Sequence, residues 1–177
     1  IDNRTGAGGI VGTAYVAKQP ADGYTWLFTT ASHTNTPPFN SNVPFDPVRD
    51  FTHVTLAVQN FGQALIVPAG SPAKTVQDLV ALARKSPGKL NYASSGLGTA
   101  SHLYMEQIKL ALGLDISFIP YKSTGQQMMD TISGQVHLSL PSLIGGLPQV
   151  TGGKVRLLAI GAAATELDRY ADEKPVG

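Results

Sequence analysis

The 177-residue sequence carries 13 Lys and Arg against 12 Asp and Glu, so it lacks the basic excess that would attract nucleic acid or an anionic membrane. It has no cysteine, which excludes disulfides and thiolate sites, and no apolar run approaches the roughly 18 residues needed to span a bilayer. A hydrophobic fraction of 42% predicts a globular chain that buries its own core. Together with the balanced charge and the lack of a long apolar run, it predicts a protein that binds no nucleic acid and does not insert into a membrane.

The first third of the chain predicts one short helix and three strands. The glycine-rich stretch TGAGG, residues 5–9, precedes a helix predicted over 10–18. Alternating or β-branched runs predict strands over 24–30, 52–58 and 63–67. A polar, proline-rich loop over 31–47 separates the first two.

From residue 75 onward, helical and strand patterns alternate. Apolar spacing predicts helices over 75–85, 101–112, 124–133 and 143–150. Strands are predicted over 89–93, 115–120, 135–140 and 155–160. Thr75 and Asp78 have the spacing of a capping box at the start of the first helix. This alternation is typical of βαβ units, so the sequence predicts an α/β fold with a mostly parallel sheet.

The loop SSGLGTAS, residues 94–101, joins a predicted strand to a predicted helix. Its glycines can turn backbone N–H groups toward an anion at the helix start, and Ser94, Ser95 and Thr99 add hydroxyl donors for a carboxylate. The alternative is a tight turn in which Thr99 or Ser101 caps the helix. The pattern alone leaves both interpretations open.

Catalytic motifs are incomplete. No lysine follows Gly98 as a P-loop requires, Ser101 occupies the third glycine position of a dinucleotide fingerprint, and GxSxG is absent. Ser94 or Ser95 could pair with His102, but no Asp stands out to orient that histidine. The four histidines show no metal-ligand spacing. We therefore predict no enzyme, metal or cofactor; the alternative is a small α/β enzyme that uses the Ser94–Thr99 loop as an oxyanion or phosphate site.

Five stretches, taken together, carry a family resemblance. They are NRTGAGGIVGTAYVAKQPADGYTWLFTT, VPFDPVRDFTHVTLAV, KLNYASSGLGTASHL, IPYKSTGQQMMDTISGQV and GKVRLLAIG. In this order they resemble the Bug-type (TctC-like) periplasmic solute receptors of tripartite tricarboxylate transporters, over nearly all of residues 1–161. The resemblance implies a periplasmic binding protein (Venus-flytrap) fold, in which two α/β lobes close on a ligand without covalent chemistry.

The resemblance also implies a set of ligand contacts. One lobe would contribute Thr30, Ser32 and Asn35, and the other would contribute Ser94, Ser95, Gly96, Gly98 and Thr99, with Tyr121 and Lys122 beside them. Pro141 stands at or near the position where members that bind amino acids have an Asp for the ligand's amine. A carboxylate without an ammonium group is therefore expected.

The resemblance further implies the domain organisation and the partners. Residues 1–66 would form part of lobe 1, 67–154 lobe 2, and 155–177 a hinge strand and the return to lobe 1. The family's first strand and its C-terminal helical portion would lie before Ile1 and after Gly177, so the first lobe is expected to be incomplete. The receptor would act in the periplasm and deliver a di- or tricarboxylate or an aromatic acid to membrane subunits of the transporter.

Overall fold

A five-stranded mixed sheet forms the centre of the computed structural model, which describes residues 1–57 and 62–161. The strand order is β3-β2-β4-β1-β5. The strands are β1 (Gln63–Pro68), β2 (Asn91–Ser94), β3 (Ser117–Pro120), β4 (Leu138–Ser139) and β5 (Val155–Gly161). β2 pairs in parallel with β3 and β4, whereas β1 is antiparallel to both β4 and β5. Four strands therefore run in one direction, and β1 runs against them through the interior of the sheet.

Five of the described helices follow the predicted order, and a sixth, short helix, Ser32–Asn35, lies in the segment 31–47 that was predicted to be a loop. They are α1 (Ile10–Val16), α2 (Ser32–Asn35), α3 (Val76–Lys85), α4 (Ala100–Leu112), α5 (Thr124–Ser133) and α6 (Leu143–Thr151). Short 3-10 turns lie before α1, at Ala7–Gly9, and after α2, at Pro37–Phe39. No helix in residues 1–57 and 62–161 is long and apolar enough to cross a bilayer.

Two hydrophobic clusters cover the two faces of the sheet. Leu65 and Val67 of β1 pack with residues of α3 and α4, such as Leu79 and Met105. Ala64 and Ile66 point to the other face, where side chains of α5 and α6 cover them. Successive residues of a strand face opposite sides, so β1 contributes to both clusters. The result is an α/β arrangement with helices on both faces of the sheet, the class that the sequence predicted. The sheet was expected to be mostly parallel, but it is mixed, because β1 is antiparallel to both of its neighbours.

Local signals account for the helix boundaries. Thr75 Oγ1 accepts the N–H of Asp78 at 3.1 Å, and Asp78 Oδ2 accepts the N–H of Thr75 at 3.0 Å, which confirms the predicted capping box at α3. α4 and α5 end at Gly113 and Gly134, both in the left-handed conformation that glycine adopts without strain.

Two predicted strands are wrong. Residues 24–30 and 52–57 have no regular secondary structure, and residue 58 lies outside the described part of the chain. Tyr24, Trp26 and Phe28 are 90%, 68% and 75% exposed. An alternating apolar pattern becomes a strand only where a neighbouring strand takes its hydrogen bonds and another layer covers its apolar face. The described ranges offer neither to these two segments.

Candidate functional site

A cleft of about 340 Å³ opens where four segments that are distant in sequence meet. Its lining comes from the glycine-rich turn before α1, the turn after α2, the β2–α4 loop and the end of β3: Ala7, Gly8, Ile10, Thr36, Asn40, Gly96, Leu97, Pro120, Tyr121 and Lys122. Lys122 is the one charged side chain in this set, and no carboxylate is present in it. A broader depression of about 420 Å³ near the end of α4 is open to solvent and lies apart from these loops.

The β2–α4 loop and the glycine-rich turn touch through their backbones. Gly96 has φ +139, and a Cβ atom added to it would lie 3.0 Å from both N and Cα of Gly8. A Cβ atom on Gly8 would lie 3.3 Å from the carbonyl oxygen of Leu97. Both distances are tighter than most real Cβ contacts, and both residues have a positive φ, which is +65 for Gly8, so glycine is favoured on both sides of this approach. Sequence reasoning missed this role of Gly8, because it assigned TGAGG only to the start of a helix.

Three buried hydroxyls, those of Ser94, Thr99 and Ser101, bond to one another within the β2–α4 loop. Ser94 Oγ is fully buried and lies 2.9 Å from Thr99 Oγ1 and 2.8 Å from Ser101 Oγ. Thr99 Oγ1 also donates to the carbonyl of Gly96 at 2.7 Å. Thr99 occupies the N-cap position of α4, yet its side chain makes no capping hydrogen bond. These hydroxyls therefore set the shape of the loop, and the helix-capping alternative does not explain them.

The donors that the loop leaves free are backbone amides. No described backbone carbonyl accepts the N–H groups of Ser95, Gly96 or Leu97. The N–H of Gly98, by contrast, points to Nδ1 of His102 at 3.4 Å. Of these residues, Gly96 and Leu97 line the cleft, so their amides are the candidate donors to an anion bound there. Such uncharged donors suit a carboxylate without the desolvation cost of a deeply buried cation.

Tyr121 and Lys122 border the cleft as the resemblance implied. The hydroxyl of Tyr121 donates to Oδ2 of Asp130 at 2.7 Å. Burial, followed by the bond to this carboxylate, raises the pKa of Tyr121 to about 12. The hydroxyl of Tyr121 is therefore already engaged outside the set of lining residues, and the exposed Lys122 is the residue that brings a positive charge to the cleft.

The segment around α2 lines the cleft with other residues than those expected. Thr30 and Ser32 bond to each other, with their hydroxyl oxygens 2.9 Å apart, and neither is among the lining residues. Asn35 is also outside the lining, whereas Thr36 and Asn40 belong to it. Thr36 Oγ1 is buried and has no hydrogen-bond partner among the described residues. In a run of neighbouring polar residues, the sequence held no signal that separates Thr36 from Asn35.

Pro141 lies away from the cleft lining. Its carbonyl accepts the N–H of Ala64 at 2.9 Å, and its ring packs against Gly146. Its proposed part in excluding an ammonium group stays a prediction. The half-buried Ser95 is next to the lining residue Gly96, and its part in binding is likewise a prediction.

The enzyme alternative finds no catalytic pair here. The hydroxyl of Ser94 is engaged by Thr99 and Ser101, and His102 Nδ1 accepts from Gly98 rather than from a serine. The described residues contain no group of three His, Cys, Asp or Glu side chains that could hold a metal ion.

Comparison with known proteins gives a consistent family. The profile described as "Tripartite tricarboxylate transporter family receptor" (TctC) matches residues 1–171. The chain is 38% identical over 160 residues to a Cupriavidus necator protein named "UPF0065 protein in gbd 5'region". The aligned region covers 90% of this chain and 48% of that protein.

Solved structures agree with this match. R. palustris Rpa4515 with adipate superposes with a TM-score of 0.86 at 36% identity, covering 90% of this chain and 54% of the other. The periplasmic binding protein BugD gives a TM-score of 0.75 at 31% identity, covering 90% and 53%. The family resemblance and the fold class inferred from the sequence are confirmed. The chain spans about half the length of the relatives it matches.

Proposed function

The chain belongs to the family of tripartite tricarboxylate transporter receptors, and on that premise we propose that it serves in a periplasmic receptor for a small carboxylate. The family consists of solute-binding receptors, not enzymes. The observation that carries the proposal is the lining of the cleft. It contains Lys122 and no acidic side chain, together with Gly96 and Leu97, whose N–H groups no described backbone carbonyl accepts.

The proposed ligand is a di- or tricarboxylate or an aromatic acid without an amine. The lining supports an acid because a carboxylate accepts hydrogen bonds from amide donors and is attracted by Lys122. Ala7, Ile10, Leu97 and Pro120 add apolar surface that fits the carbon chain or ring of such an acid. A related protein of this fold has been solved with adipate, a dicarboxylate. The absence of an ammonium group from the ligand is proposed from the family resemblance, which puts Pro141 at or near the position of an amine-binding Asp.

The proposed mechanism is closure of two lobes. Lobe 1 would include residues 1–66 and lobe 2 residues 67–154, with β1 and β5 among the strands that connect them. The segments that meet at the cleft come from both parts, since Gly8 and Thr36 face Gly96 and Leu97. A ligand that bridges them would favour the closed form, which would dock on the membrane subunits of the transporter. Residues 162–177 of the proposed return to lobe 1 lie outside the described residues.

Titration calorimetry on the whole protein tests the function. Adipate, a tricarboxylate, benzoate and aspartate would be compared as ligands. Selective binding of one of the first three, with none of aspartate, is the expected result. Binding of aspartate alone would contradict the amine-free ligand but keep the receptor. If all four failed to bind, and turnover of an ester or a phosphate substrate were lost in Ser95→Ala and His102→Ala, the enzyme alternative would replace the receptor.

A further inference from the structure

His102 lies in the first turn of α4, and its buried ring packs between two aromatic side chains. It is 7% exposed. Its ring centroid is 4.7 Å from that of Phe118 on β3 and 6.1 Å from that of Phe39 in the turn after α2. The ring thus contacts both β3 and the turn after α2, which also contributes lining residues to the cleft.

The ring nitrogen Nδ1 faces the backbone of the cleft loop. Nδ1 accepts the N–H of Gly98 at 3.4 Å. An imidazole can accept at Nδ1 only when it is neutral and carries its proton on Nε2, because an imidazolium ion has no acceptor. The hydrogen bond therefore depends on both the protonation state and the tautomer of His102.

Gly98 in turn lies close to the backbone at the end of α2. Its φ is +75, and a Cβ atom on it would lie 2.8 Å from Cα of Thr36 and 3.2 Å from the carbonyl oxygen of Asn35. The two residues before it, Gly96 and Leu97, line the cleft. A hydrogen bond that holds the N–H of Gly98 therefore also restricts the positions of Gly96 and Leu97 at the cleft.

The charges that face His102 are on its own helix. Glu106 and Lys109 follow it on α4, and Glu106 Oε1 accepts both from Lys109 Nζ and from the Tyr92 hydroxyl of β2, each at 2.7 Å. β3 and the turn after α2 meet the ring with Phe118 and Phe39, which carry no charge. Burial lowers the pKa of His102, Glu106 opposes this shift and Lys109 adds to it. The ring is consequently neutral at neutral pH.

We propose that His102 is a positioning residue of the cleft: its neutral ring holds the N–H of Gly98, and protonation of the ring releases this N–H and weakens ligand binding. This inference rests on the proposed receptor function. The sign is distinctive, because a histidine that simply attracted an anion would bind it more tightly when protonated. One lost hydrogen bond corresponds to a factor of roughly 2 to 12 in affinity.

A ligand-free NMR experiment on the whole protein tests the positioning step by itself. The ¹⁵N shifts of His102 should report the Nε2–H tautomer, and the amide signal of Gly98 should titrate together with the ring. His102→Asn offers an oxygen near the place of Nδ1, so its Gly98 amide should keep a hydrogen-bonded shift and lose the pH response. A Gly98 amide that ignores the titration of His102, or an Nδ1–H tautomer, would overturn the proposal whether or not any ligand binds.

Adipate binding by the same proteins, measured at pH 7.5 and at the pH where the NMR titration finds the His102 ring protonated, tests the consequence. We expect wild-type affinity to fall by roughly two- to twelvefold on acidification, beyond any loss seen in His102→Asn. His102→Asn should stay within about threefold of wild type at pH 7.5, whereas His102→Phe, which keeps the packing but no acceptor, should be weak at both pH values. Affinity that rises on acidification in wild type alone would contradict the proposal. If adipate binds none of the proteins, the receptor function fails for this ligand while the NMR result still decides the role of His102.

Discussion

Gly98 and Thr36 lie so close that a Cβ atom on Gly98 would be 2.8 Å from Cα of Thr36. The first belongs to the loop after β2, and the second follows α2 in the part of the chain assigned to the other lobe. The contact is between main chains, so it cannot be relieved by a side-chain rotation. The close approach of these two residues therefore sets the distance between the β2–α4 loop and the turn after α2.

Gly98→Ala should therefore be more harmful than the same change at a glycine with room around it. A left-handed alanine costs about 1 kcal/mol, and forced contact with Thr36 adds roughly 1–3 kcal/mol. Gly134 is a matched control, because its φ is +80 and nothing lies within 4 Å of its added Cβ. Denaturant unfolding of both variants measures the difference. Equal losses of unfolding free energy would show that the loop moves away from Thr36 in solution.

Thr36→Val tests the unpartnered hydroxyl of Thr36. Removing a buried hydroxyl that has no partner should leave the ligand-free protein as stable as wild type, or more stable by up to about 1 kcal/mol. If the hydroxyl contacts the carboxylate, affinity should fall about tenfold. Calorimetry and thermal unfolding together separate the two effects.

Thr131→Val is the control for that variant, because Thr131 Oγ1 donates to the carbonyl of Gln127 at 2.7 Å and is 3.0 Å from Ser139 Oγ. This change should destabilise the protein by roughly 1–3 kcal/mol. A Thr36→Val protein that lost as much stability as Thr131→Val would mean that the Thr36 hydroxyl has a partner in solution.

Ser94 and Ser95 are adjacent but should respond differently to alanine. Ser94→Ala breaks the buried contacts with Thr99 and Ser101 and should lower the free energy of unfolding by roughly 1–3 kcal/mol. Ser95→Ala should leave stability nearly unchanged and weaken carboxylate binding by roughly 1–3 kcal/mol, if the ligand charge loses a donor. Unchanged affinity in Ser95→Ala would remove this residue from the site.

The capping box of α3 makes part of the stability depend on pH. The N–H of Lys74 and then the side chain of Thr75 hold the pKa of Asp78 below its ordinary value of 3.8. A lowered pKa in the folded state contributes stability that is present above pH 3.8 and is lost as the pH falls through the lowered pKa. Asp78→Asn should lack this acid-side loss, so unfolding curves of the two proteins should differ at neutral pH and converge in strong acid. Parallel pH profiles would contradict the assignment.

The sequence by itself determined features that depend on neighbouring residues. The helix Thr124–Ser133 begins and ends where its pattern predicted, and the Thr75–Asp78 capping box forms as its spacing indicated. Helix periodicity, caps and terminal glycines act within a few residues, so they can be recognised without knowledge of the fold. The resemblance carried by the five quoted stretches likewise led to the right family.

Only the tertiary structure decided which polar groups face the cleft. The hydroxyls of Ser94 and Thr99 bond to each other and neither residue is among the cleft-lining residues, whereas Gly8 and Thr36 are; the predicted contacts of Ser94 and Thr99 with a ligand stay predictions. The same holds for residues 24–30, whose alternating pattern forms no strand among the described residues. Such outcomes depend on contacts between segments far apart in the chain, and a local pattern does not specify which segment will pack against it.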